Sequence, residues 1–173
     1  VTSTPTTGLT WLNTAEADDV RAALREVCAS SAWVGGVLAR RPYADTAALH
    51  RAADSAVAGL GADDLAEAMA AHPPIGRPKP GDPASTREQR GMAGASEELR
   101  AEMLELNLAY QERFGHVFLI CATGLTGEQM RDAVRERLGN PPEREWEAVR
   151  SELSKINRIR LTRLADAPEG APS

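Results

Sequence analysis

A chain of 173 residues is long enough to bury roughly two-thirds of its unfolded surface around one core, without disulfides or metals as staples. Only 4% of the residues are aromatic, Ala and Leu are abundant and β-branched runs are scarce, a composition that favours packed helices over a sandwich or barrel. The net charge of -5, with both signs interspersed, offers no basic stripe to neutralise phosphates and argues against a nucleic-acid partner.

No apolar run approaches the ~18 residues that span a bilayer, and the start Val1-Thr-Ser-Thr-Pro5 lacks a basic region followed by an apolar core. A cytoplasmic protein with no membrane partner is expected. Cys28 and Cys121 lie far apart in apolar stretches with no metal-ligand spacing, which suits two reduced, buried thiols. Residues 1–10 and the tail 166–173 are small, polar and rich in Pro or Gly, and read as flexible ends around one domain at 11–165.

Thr14 is the expected cap of a first helix with acidic residues in its opening turn and Val20, Ala23, Leu24 and Val27 on its apolar face, stopping near Ser30. A short helix through Trp33, Val37 and Leu38 ends before Arg41-Pro42. Asp45 then caps another, carrying Leu49, Ala53, Val57 and Leu60. Leu65 and Met69 mark one more short helix, which delivers the chain to His72. After a proline-rich loop, Ser85-Thr86-Arg87-Glu88 has the pattern of a capping box, so a helix is expected to begin there.

Leu99, Met103, Leu106, Tyr110 and Phe114 continue at three-to-four spacing through a long helix that Gly115 stops. Val117 to Ala122 is apolar throughout and only six residues long, and fits a buried extended segment or a buried helical start equally well. Thr126-Gly127-Glu128-Gln129 is a second capping box, leading a helix through Met130, Val134 and Leu138 to Gly139. The last helix runs from about Glu143 to Leu164. The expected class is all-α, a single-domain compact bundle of about eight helices.

Three residues stand out as chemistry. His72 precedes Pro73 at the mouth of the stiff loop His72-Pro73-Pro74-Ile75-Gly76-Arg77-Pro78-Lys79-Pro80, so it cannot readily continue a helix and its ring is presented by a loop edge. Glu88 follows sixteen residues later, tying a carboxylate to the same connection. Arg160 falls on the stripe Trp146, Val149, Leu153, Ile156 of the last helix, where a core residue belongs. A buried guanidinium must meet a carboxylate, carbonyl dipoles or an anionic ligand.

Each also has a structural explanation. A loop histidine can simply bond backbone, the third position of a capping box accounts for Glu88, and an arginine near a helix end can form an ion pair or snorkel. Ser85 and Gln89 suit a polar pocket wall, but each alone is more often a cap or a solvated surface group. The three histidines match no zinc pattern, and there is no nucleophile elbow or phosphate loop. What remains is chemistry without metal or organic cofactor, with His72 as acid or base and Glu88 and Arg160 as orienting or charge-stabilising groups.

At these residues the chain resembles the 2-oxo-4-hydroxy-4-carboxy-5-ureidoimidazoline (OHCU) decarboxylases of urate degradation, an all-α family. The matching pieces are Cys28-Ala-Ser-Ser-Ala-Trp33, Arg41-Pro42-Tyr43, Ala71-His72-Pro73-Pro74-Ile75-Gly76, Ser85-Thr86-Arg87-Glu88-Gln89, Leu106-Asn107-Leu108-Ala109-Tyr110, Arg113-Phe114-Gly115-His116-Val117-Phe118 and Lys155-Ile156-Asn157-Arg158-Ile159-Arg160-Leu161. The resemblance implies that the proline-rich loop is an active-site loop, that His72, Glu88 and Arg160 are catalytic, and that Ser85 and Gln89 bind substrate. It further implies that Pro73 walls the pocket and that Ile120, Cys121 and Ala122 offer backbone groups to the substrate ring. The expected partner is a small ureidoimidazoline, the product (S)-allantoin, and the expected assembly a homodimer. The alternatives are a relative acting on another ureido or imidazolone substrate, and a non-catalytic helical binding module.

Overall fold

The structure, a computed structural model, describes residues 7–77 and 80–167. Its described residues form nine α-helices, one short 3-10 helix and no strand, the all-α class expected from composition. The described residues cluster into two compact units, one of residues 7–68 and 154–167, the other of the described residues between 69 and 153.

The first unit contains α1 (Thr7–Thr14), α2 (Ala17–Val27), α3 (Ser31–Leu38), α4 (Thr46–Ala58), most of α5 (Ala62–Ala70) and the last turns of α9 (Pro142–Asp166). Helix α1 corrects the expectation of a flexible N-terminal segment for its residues 7–10: from Thr7 the chain is helical, and Leu9 and Leu12 are buried. Three apolar residues, Leu9, Trp11 and Leu12, in an eight-residue stretch otherwise of Thr, Gly and Asn gave too little periodicity to read. Gly8 is required there, since an added Cβ would collide with the carbonyls of Leu164 and Ala165. Thr14 therefore ends α1 instead of capping α2, and its hydroxyl donates back to the Thr10 carbonyl at 2.8 Å.

Local signals set most other boundaries. Ser30 accepts from the Trp33 N–H as the cap of α3, so α2 stops at Val27, three residues earlier than expected. Asp45 caps α4, accepting from the Ala48 N–H at 2.7 Å. Trp33, Val34 and Val37 of α3 and Leu49, Ala53 and Val57 of α4 are buried. Cys28 is buried and free, and burial pushes its thiol up.

The second unit contains the end of α5, α6 (Pro83–Glu88), the 3-10 turn Arg90–Met92, α7 (Glu97–Phe114), α8 (Gly127–Leu138) and the first turns of α9. Gly115 ends α7 at a positive φ of 78°, and Thr126 with Gln129 forms the full capping box of α8. Between these helices residues 116–126 are irregular, which settles the apolar run Val117–Ala122 as buried non-helical backbone. One core joins Ile75, Met92, Met103, Tyr110, Phe118, Ile120, Ala122, Met130 and Val134. Pro78 and Lys79 of the proline-rich loop, and residues 1–6 and 168–173 of the two ends, lie outside the described residues.

Candidate active site

The end of α5 delivers His72, whose N–H donates to the Met69 carbonyl at 3.0 Å and whose ring is half-buried. The following turn closes with the Arg77 N–H on the Pro74 carbonyl at 3.0 Å, with Gly76 at φ 88° in the turn position that demands left-handed backbone. Two side-chain amides then lock this turn. Gln89, buried, accepts from the Gly76 N–H at 2.9 Å and donates to the carbonyls of Pro73 and Pro74 at 3.3 and 3.1 Å. Asn107 of α7 donates to the Ile75 carbonyl at 3.0 Å. Both Nε2 hydrogens of Gln89 are thus spent on the loop, and its work here is to hold the residues next to His72.

The start of α6 corrects the sequence reading. Asp82, not Ser85, is the cap: its carboxylate accepts from the Ala84 and Ser85 N–H groups at 3.1 and 3.4 Å, with Pro83 at the first helical position. The pair Asp82-Pro83 outranks Ser85-x-x-Glu88 because proline is pre-set for the first turn and loses no hydrogen bond there. Ser85 is buried inside the helix, and its hydroxyl donates to the Asp82 carbonyl at 3.2 Å. Glu88 becomes the last residue of α6, half-buried, so a capping box no longer explains it.

The irregular segment holding Ile120, Cys121 and Ala122 shares the core of this unit with Ile75 of the loop. Beneath it lies a charged network that sequence reasoning missed. Arg137, in the last turn of α8, donates through Nη1 to the Leu119 carbonyl at 2.5 Å and lies over the Phe118 ring at 4.6 Å. Its Nε donates to Glu145 Oε1 at 2.7 Å, and Glu145, fully buried, also accepts from the Tyr110 hydroxyl at 2.5 Å and from Asn140 Nδ2 at 3.0 Å. Burial, then the hydrogen bond to Glu145, pushes the Tyr110 phenol far up, so it stays a donor. Glu152 Oε2 accepts the Cys121 N–H at 3.1 Å.

A signal for this network existed. The spacing that marks Arg160 runs back along α9 through Leu153 and Val149 to Glu145, a carboxylate on a core line, whereas Trp146 beside it is half-buried and packs against His116, tilted, with ring centroids 4.7 Å apart.

Arg160 belongs to the first unit. It is half-buried, and its Nη1 donates at 3.0 Å to the carbonyl of Val27, the last residue of α2. A cation there meets the negative end of the helix dipole, one of the environments an inward arginine requires. The structure therefore gathers His72, Pro73, Ser85, Glu88, Gln89, Ile120, Cys121 and Ala122 into one unit and places Arg160 in the other.

The OHCU decarboxylase model matches residues 13–162, and the chain belongs to that family. It is 31% identical over 144 residues to the uric acid degradation bifunctional protein TTL of Arabidopsis thaliana, a match covering 79% of this chain and 44% of that protein. It is 40% identical over 68 residues to the 2-oxo-4-hydroxy-4-carboxy-5-ureidoimidazoline decarboxylase of Amia calva, covering 39% of each chain. The alignments span less than half the length of these curated relatives. Among solved structures, an OHCU decarboxylase crystallised in the presence of (S)-allantoin superimposes with a TM-score of 0.75 at 27% identity, over 88% of this chain and 99% of that one. An (S)-allantoin synthase shares the fold, with a TM-score of 0.69 at 18% identity over 90% of this chain and 53% of that one.

Proposed function

We propose that this chain catalyses the decarboxylation of OHCU to (S)-allantoin in urate degradation, with no metal or organic cofactor. The observation that carries this reading is the extent of the family match: residues 13–162 include every candidate site residue and run through both units. That continuity also supports 11–165 as one functional domain. By the same reading the protein works in the cytoplasm as a homodimer on a small-molecule substrate.

Departure of CO2 breaks a carbon–carbon bond, and the electron pair left behind delocalises into the adjacent C=N or carbonyl system before a proton is added to carbon on one face. A single-handed product needs a positioned acid. In this proposal His72 engages the hydroxyl and carboxylate region and assists proton transfer, while Glu88 accepts from the ureido N–H groups. Arg160 offsets charge on substrate oxygens. Pro73 and Ser85 wall the pocket, and the backbone of Ile120 to Ala122 meets the ring. Gln89 contributes by fixing the His72 loop.

The test generates OHCU enzymatically from urate and follows the appearance of allantoin by circular dichroism, with and without the protein and with and without a chelator. The expected result is fast formation of one enantiomer, unchanged by chelation. Slow, racemic decay at the rate of the control contradicts the reading.

A further inference from the structure

We propose that Arg137 and Glu152 are positioning residues, which aim the two main-chain polar groups of Ile120 at the substrate ring. The inference rests on the decarboxylase reading above and extends it to residues outside the pocket wall. Ile120 lies between two peptide planes, and each plane is pinned on the side away from Ile120's own group. The Leu119 carbonyl accepts from Arg137 Nη1 at 2.5 Å, and the Cys121 N–H donates to Glu152 Oε2 at 3.1 Å. Both peptides are trans, the one cis bond among the described residues being Arg41–Pro42.

In a planar trans peptide the C=O and N–H point in opposite directions. Fixing the Leu119 carbonyl toward Arg137 therefore fixes the Ile120 N–H in the opposite direction. Fixing the Cys121 N–H toward Glu152 fixes the Ile120 carbonyl in the same way. Without these anchors the segment is irregular backbone with no neighbouring strand to set its planes. A donor and an acceptor on one residue match the N–H and C=O groups of an imidazolone or ureide edge, and their aim depends on two side chains that need not touch it.

The anchors are themselves held. Arg137 is fixed by Glu145, which Tyr110 and Asn140 hold in turn, and its plane lies against Phe118. A buried network bonded at this many points tolerates little reorientation.

The test compares the parent with Glu152→Gln, Glu152→Leu and Arg137→Lys. Each is measured for unliganded thermal unfolding, for KM and kcat on OHCU, and for the response of its Ile120 amide resonance to (S)-allantoin. Glutamine retains an oxygen acceptor for the Cys121 N–H, so Glu152→Gln should stay within about threefold of the parent KM, whereas Glu152→Leu should raise KM about tenfold or more, with kcat changed less. Arg137→Lys keeps the charge and loses the fork that serves Leu119 and Glu145 together, so it should behave like Glu152→Leu. The Ile120 amide should respond to allantoin in the parent and in Glu152→Gln and only weakly in the other two.

A folded Glu152→Leu with parental KM and a parental Ile120 response overturns the proposal, as does a parent whose Ile120 amide ignores allantoin. If Arg137→Lys fails to fold, the two Glu152 variants decide alone. If the parent forms no allantoin yet Glu152→Leu abolishes an allantoin response at Ile120, the decarboxylase reading falls and the positioning role stands.

Discussion

The turn after His72 and the segment around Ile120 are both irregular backbone in one unit, and they are held in opposite ways. Neutral amides hold the first: Gln89 bonds the Gly76 N–H and the carbonyls of Pro73 and Pro74, and Asn107 bonds the Ile75 carbonyl. Charged side chains hold the second: Arg137 and Glu145, both buried, and the half-buried Glu152. An amide that loses its partner leaves a dipole unsatisfied, whereas a buried ion that loses its partner leaves a charge. The Ile120 segment is therefore the more costly of the two to disrupt, and the His72 turn the more tolerant of change.

The largest effect should come from Glu145→Ala, which strands Arg137 and should cost about 3–5 kcal/mol in denaturant unfolding. Replacing both partners, Arg137→Met with Glu145→Leu, should recover much of that stability without restoring KM, because the Leu119 anchor is still missing. If the double variant recovers KM as well, the charge contributes stability only.

On the amide side, Gln89→Leu leaves two carbonyls and one N–H without their partner and should cost about 1–3 kcal/mol. Its more telling effect is on kcat, since the loosened turn carries His72. An unchanged kcat would mean that the turn keeps its shape without Gln89, and the contrast between the two regions would then be weaker than the hydrogen bonds indicate.

Smaller still is Asp82→Ala, which removes the cap of α6 and should cost about 1 kcal/mol, with Pro83 left to start the helix. Equal loss in Ser85→Ala would restore Ser85 as the effective cap.

The smallest effect lies in the first unit, where burial lowers the His50 pKa and its Nε2 meets Thr162 Oγ1 at 3.0 Å. A folded-state pKa below the ordinary value of about 6.5 means that the unfolded chain binds the proton more readily. This contribution is complete above about pH 6.5 and is lost as the pH falls toward the lower folded-state value. His50→Gln should flatten that slope in denaturation midpoints measured between pH 5 and 7, and an unaltered slope would assign it to other groups.

What could be read from the sequence follows the range of the interactions concerned. Asp45, Thr126 and Gly115 act within a few residues of themselves, so their helix boundaries were legible. His72 was legible as a loop residue because proline constrains its neighbour. Asp82 was within reach of the same reasoning, but the Ser85-x-x-Glu88 pattern competed with it, and only the folded turn shows which cap forms. Gln89 and Glu152 were not legible in their observed roles, because each bonds backbone 13 to 31 residues away and no local spacing encodes that. Glu145 was legible in principle, as a carboxylate on the core line of α9.

The most direct measurement sets the parent beside His72→Gln in the circular-dichroism assay on freshly generated OHCU, with unfolding curves taken on the same preparations. The expected result is a fall of ~10²–10⁴ in the rate of optically active allantoin formation, as for loss of one positioned acid or base, with cooperative unfolding nearly unchanged. Equal rates in the two proteins would remove His72 from the chemistry and contradict the reading of this site.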